Sequence, residues 1–140
     1  PRRPRTTRLP TPTLVKYMLP VAPVPASRPR VTRRGHVYYG KNYTRFRTEA
    51  GKILETAVFP DICPIHEVFH LDVTFFCTRP RTTKKDAPRG DIDNYLKTLD
   101  AFNNILWKDD DLIRSVTARK EFSDEPRIEL ELKHGELRTT

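Results

Sequence analysis

The sequence predicts an α+β fold: a single domain with a mostly antiparallel or mixed sheet of about four to five strands and two packed helices. Three observations predict it. Val68 to Thr78 is rich in β-branched and aromatic residues and apolar on nearly both faces, as a central strand is. Lys41 to Val58 repeats Tyr43, Phe46, Ala50, Ile53, Leu54 and Ala57 at helical spacing. Arg127 to Lys133 alternates, with Ile128, Leu130 and Leu132 on one side and Glu129 and Glu131 on the other. At 140 residues the chain is long enough for one real core.

Each element follows in order. Residues 1–12 set Arg2, Arg3, Arg5 and Arg8 among prolines and threonines with no apolar period, which predicts a mobile basic arm. Residues 13–133 form the folded domain, opening with a strand over Thr13 to Leu19, and residues 134–140 are a frayed tail. Pro20, Pro23, Pro25 and Pro29 forbid a regular helix and impose an extended loop. Arg28, Arg30, Arg33 and Arg34 then lead into Val37-Tyr38-Tyr39. Guanidinium groups pair with phosphate and tyrosines stack on unpaired bases, so this is either a DNA-contacting loop or a surface hairpin with incidental charge.

The helix after Lys41 ends at Phe59-Pro60-Asp61. Past the central strand, Arg79, Arg81, Lys84, Lys85 and Arg89 make a polycationic loop broken by Pro80 and Pro88. A helix over about 92–104 follows, with Asp91 at its N-cap. Ile92, Tyr95, Leu96, Leu99 and Phe102 share one arc of it, and Asp93, Lys97 and Asp100 form a narrow stripe elsewhere. Leu112 to Phe122 and Arg127 to Lys133 are strands, and Ser123 to Pro126 is short enough for a hairpin between them.

Charge bounds the partners. The net charge is +8 and the pI near 9.8. Before Glu55 the only acid is Glu49, so the front half suits a polyanion, most plausibly nucleic acid. No apolar stretch has the length of a spanning helix or a signal region, which predicts a cytosolic chain without membrane association. Cys63 and Cys77 are too few for a disulfide framework, and with His66 and His70 they lack the paired spacings of a zinc site. Cys77 alternates with Leu71, Val73 and Phe75 as a core thiol.

The chemistry gathers between Gly90 and Asp111, the densest acid cluster of the chain. Asp91 and Asp93 are close enough to serve one small site, and Asp109, Asp110 and Asp111 follow Trp107. A hard divalent cation takes one or two carboxylates, waters and phosphate oxygens, and a third acid would complete such a site. A helix start and a strand start meeting at one sheet end would bring the acids together. Local readings compete: Asp91 as a helix cap, Asp93 with Lys97 as an i,i+4 ion pair, and the acid run as a turn. A calcium loop is excluded, because Tyr95 and Leu96 stand where its pattern needs an acid or amide and then Gly.

Asp91-x-Asp93-Asn94-x-x-Lys97, then Asp100-Ala101, then Trp107-x-Asp109-Asp110, together resemble the RusA family of Holliday-junction resolvases of bacteria and phages. The likeness runs more loosely from about Tyr17 to Leu132. It implies that Asp91, Asp93 and Asp110 bind Mg²⁺, with Mn²⁺ able to substitute, and that Lys97 is needed for cleavage. Asn94, Asp100, Asp109 and Asp111 would give support, and Arg28, Arg30, Arg33, Arg34, Arg79, Arg81, Lys84, Lys85 and Arg89 would contact DNA. It also implies a homodimer nicking a four-way junction symmetrically. Asp100 follows Lys97 by three positions where the family commonly has four, which leaves the role of Asp100 open; the acid run is three long, which leaves the choice among Asp109, Asp110 and Asp111 open with Asp110 preferred. Two other functions fit the same residues: a metal nuclease of broader choice, cutting flaps, forks or single strands, and a non-catalytic basic DNA-binding protein.

Overall fold

The computed structural model describes residues 13–27, 29–38 and 40–134. The expected basic arm at 1–12, Arg28, Tyr39 and the tail beyond His134 lie outside the described residues.

Among the described residues, six strands and two helices are ordered as β1 (Thr13–Leu19), β2 (Arg30–Val31), β3 (Val37–Tyr38), α1 (Lys41–Thr56), β4 (Phe69–Cys77), α2 (Ile92–Leu96), β5 (Ile113–Phe122) and β6 (Arg127–His134). A 3₁₀ segment over Lys97–Phe102 continues α2. The main sheet has the order β1-β6-β4-β5 and is mixed: β4 runs antiparallel to β6 and parallel to β5. The fold is thus α+β, with two helices on a four-stranded mixed sheet. No helix among the described residues is long and apolar enough to cross a membrane.

Apolar alternation decides which face is covered. In β4, Phe69, Leu71, Val73, Phe75 and Cys77 are buried, and they share the core with Val15, Leu19, Ile128, Leu130 and Leu132 of the other strands. Tyr43, Phe46, Ala50 and Leu54 of α1, with Tyr95, Leu99, Phe102 and Trp107, complete that core. The other face of β4 differs from expectation. His70, Asp72 and Phe76 are only half-buried, and cations serve them: Arg119 lies 3.6 Å from Asp72, and the Arg127 guanidinium sits 3.9 Å from the centre of the Phe76 ring. β4 is therefore central in the sheet but dry on one side only.

Three further expectations are corrected. β5 and β6 are not a hairpin, because β4 lies between them and pairs with both. The most apolar strand takes the central place, and Ser123 to Pro126 has only to step over it, about 10 Å at ordinary strand spacing. The predicted helix over 92–104 is α-helical only to Leu96. The Thr98 hydroxyl donates to the Tyr95 carbonyl at 2.6 Å, competing with the α-helical ladder, and the turn tightens to 3₁₀. His134 belongs to β6 and is buried, so the folded sheet runs one residue past the expected boundary.

Candidate active site

Gly90 has φ +97°, a left-handed backbone that favours glycine, and a Cβ there would stand 3.2 Å from Cγ of Pro25 and 3.3 Å from Cε2 of Tyr95. This turn starts α2 and is tied from three sides. The Tyr95 hydroxyl donates to the Arg89 carbonyl at 2.7 Å, and the Lys120 ammonium donates to the Gly90 carbonyl. The Ala26 N–H, on the proline-rich loop, donates to the Asn94 carbonyl at 2.8 Å. Tyr95 is itself fixed in the core, its ring 5.3 Å from that of Phe75 and its hydroxyl 3.8 Å from Sγ of Cys77. Burial pushes the Tyr95 phenol well above its ordinary range, and the neighbouring Cys77 thiol adds to the rise. Burial also raises the Cys77 thiol, with Tyr95 and Lys120 pulling it partly back.

On this fixed backbone the carboxylates are left unengaged by any of the described residues. Asp91 occupies the N-cap position with an extended backbone, yet its side chain makes no capping bond. Asp93 is exposed and has no ion pair with Lys97, whose ammonium instead donates to Oδ1 of Asn94 at 3.4 Å. Neither local use of these acids, as cap or as i,i+4 pair, is made here. Asp93, Lys97 and Asp100 are all exposed, as the stripe predicts, and Asp100 borders a groove against α1.

The second acid group is organised differently. Oδ1 of Asp109 accepts from the Asp111 N–H at 3.4 Å and caps a short 3₁₀ turn over Asp110–Leu112. Oδ1 of Asp110 accepts from Nε1 of Trp107 at 3.0 Å, and the same N–H donates to Oδ1 of Asn103 at 2.9 Å. Asp110 therefore stands beside the far end of the helix that Asp91 begins. Five α-helical and six 3₁₀ residues lie between, a length of roughly 20 Å. The sheet gives the same measure: Tyr95 packs on Phe75 whereas Trp107 packs on Phe69, and six strand residues span roughly 20 Å. The expected meeting of Asp91, Asp93 and Asp110 at one sheet end is not made within one chain. Among the described residues no three acids, histidines or cysteines stand together as a metal cage.

Two basic segments are joined through the chain to the Asp91 turn. Arg30, Arg33 and Arg34 are exposed on the β2–β3 ribbon, which leaves the loop that Ala26 anchors to Asn94. Arg79, Arg81, Lys84, Lys85 and Arg89 are exposed on the loop that ends at Gly90, with Nη1 of Arg79 donating to the Lys85 carbonyl at 3.4 Å. Lys120 and Tyr95 are site residues that motif reasoning misses. Lys120 carried a signal: it interrupts the inward alternation Val116, Ala118, Lys120, Phe122 of β5, where a cation has no packing role. Tyr95 carried none beyond its apolar spacing.

The family model Endodeoxyribonuclease RusA matches residues 20–133, which holds every element from the proline-rich loop to β6 and all the acids above. A search of curated proteins finds no match. On the strength of a match over most of its length, the chain belongs to the RusA family of endodeoxyribonucleases.

Proposed function

We propose that this chain is a metal-dependent, structure-selective endodeoxyribonuclease that resolves Holliday junctions and related branched DNA by paired symmetric nicks. It acts as a homodimer in the cytoplasm of a bacterial or phage-infected cell. The observation that carries the reading is the pair Asp91 and Asp93: exposed carboxylates with no partner among the described residues, on a tightly held turn, in a chain of this family.

The donor set fits a hard cation. Asp91 and Asp93 offer bare oxygens from one turn, and Mg²⁺ takes few protein ligands, filling the rest with water and phosphate. Mg²⁺, or Mn²⁺ in its place, would supply polarisation of the scissile phosphate and a lowered pKa for the attacking water. The chain's own residues do the remainder. Lys97 stands one helical turn beyond Asp93 and offers its ammonium to charge developing on the phosphate, with Asn94 orienting it. Lys120, Tyr95 and Ala26 hold the turn in place, so the carboxylates need little reorganisation when substrate arrives. Arg30, Arg33 and Arg34 with the cations of the 79–89 loop hold the backbone of the DNA on either side of the acids.

Asp110 enters through the dimer. Its distance from Asp91 within one chain favours a set in which Asp110 of one copy serves the Asp91–Asp93 pair of the other, and two-fold symmetry then yields two such sites.

The test is cleavage of a labelled four-way junction beside matched duplex, flap, fork and single-stranded DNA, with Mg²⁺ or EDTA. Paired symmetric nicks on the junction alone, lost in EDTA, are expected. Comparable cutting of flaps or single strands would replace the resolvase with a broader nuclease, and metal-indifferent binding without cutting would leave a DNA-binding protein.

A further inference from the structure

Immediately behind Gly90 lies an open cavity of about 590 Å³, and nothing in the metal and phosphate chemistry uses it. Its size is that of clefts that hold small planar ligands, roughly 300–1,000 Å³. Pro25, Pro88, Cys77, Tyr95 and Phe122 line it with apolar and aromatic surface, and Thr78 adds a hydroxyl. The Arg79 guanidinium lies 4.3 Å from the centre of the Phe122 ring at its edge. The loop that borders it carries Arg79, Arg81, Lys84, Lys85 and Arg89 against one acid, Asp86.

We infer that this cavity receives an unstacked nucleobase from the strand whose phosphate lies at Asp91 and Asp93. The proposal rests on the nuclease reading above and adds the group that would recognise the strand. A base has apolar faces and polar edges, which suits walls of proline and aryl rings with a hydroxyl among them. The cationic rim selects a polyanion over an apolar peptide as the occupant. Continuity supplies the placement: Arg89 and Gly90 line the cavity, and the next residue is Asp91. Duplex DNA stacks each base on both sides and resists giving one up, whereas a branch point interrupts the stack and lowers the cost of drawing a base out. The same cleft therefore favours branched over linear DNA.

The test uses the full chain and four-way junctions carrying a single abasic nucleotide stepped along the strand through the cut site, with binding measured in EDTA. One abasic position beside the cut is expected to weaken binding roughly tenfold, and 2-aminopurine at that position should change fluorescence on binding. Phe122→Leu should lose most of that discrimination. Ala87→Trp, which fills the mouth from an exposed position, should do the same if the first variant does not fold. Junction cutting that proceeds normally while every abasic position binds equally well would overturn the pocket and leave the nuclease reading intact. Absence of metal-dependent cutting on any substrate would overturn the nuclease reading and the pocket with it. Chemical-shift changes at Tyr95 and Phe122 on deleting residues 1–12, with none on adding DNA to the full chain, would assign the cavity to the chain's own arm and overturn the proposal.

Discussion

The two ends of the α2–3₁₀ helix treat their acids in opposite ways. At the Asp91 end the backbone is fixed by Tyr95, Lys120 and Ala26 while the carboxylates have no partner among the described residues. At the Asp110 end the carboxylates are themselves the fixing groups: Asp109 caps its own turn and Asp110 takes the indole N–H of Trp107. The first end leaves its carboxylates available, and exposed oxygens on a rigid frame need little reorganisation to meet a cation. The second has one oxygen of Asp110 committed and the residue still exposed, so it can add a ligand to a site built elsewhere.

Substitutions break the contrast most sharply at the first end. Asp91→Asn and Asp93→Asn each remove an anionic oxygen, and junction cleavage should fall about 10³-fold or more while binding in EDTA changes little. Gel-shift and single-turnover cleavage assays on the same preparations check both halves. Lys120→Met leaves the carboxylates but frees the turn, and cleavage should drop about tenfold with about 1 kcal/mol lost in urea unfolding. A cleavage loss as large as that of Asp93→Asn would instead make Lys120 a group that touches substrate.

Gly90→Ala sharpens the role of the frame. Its left-handed backbone and the 3.2 Å approach of Pro25 should cost about 1–2 kcal/mol in urea unfolding, with cleavage impaired in the folded fraction. A last effect, confined to strongly alkaline solution, is on pH. The Cys77 thiol and Tyr95 phenol ionise at ordinary values of 9.0 and 10.0 when unfolded and higher when folded. Between those limits the unfolded chain holds fewer protons, so stability is full below about pH 9 and declines as pH rises through and beyond 10. The slope is at most about 1.4 kcal/mol per pH unit for each group, and Tyr95→Phe should flatten the upper part of it.

Periodicity made much of the fold legible. The alternation of Ile128, Leu130 and Leu132, the spacing of Tyr43, Phe46, Ala50 and Leu54, and the apolar run of β4 each report burial, and burial is what a sequence pattern encodes. Pairing partners are not encoded that way, so the short Ser123–Pro126 connector suggested a hairpin although β4 claims both neighbours. Thr98 shows why the α-helix is shorter than its apolar spacing predicts: its side-chain bond to Tyr95 is a local competition that apolar spacing does not register. At the site, the motif singles out Asp91, Asp93, Lys97 and Asp110 as candidates for the chemistry. It does not tell how far apart a helix sets them, nor that Lys120, thirty positions from Gly90, is bonded to its carbonyl.

The most direct test of a site shared between the two helix ends is to mix two inactive variants, Asp93→Asn and Asp110→Asn, after confirming that each is dimeric and binds the junction. In mixed dimers one site collects both substitutions and the other collects none, so roughly a quarter of the wild-type sites should return and nick single strands without the paired cut. No recovery of nicking on mixing, with subunit exchange demonstrated, would contradict the account and require Asp91, Asp93 and Asp110 to act within one chain.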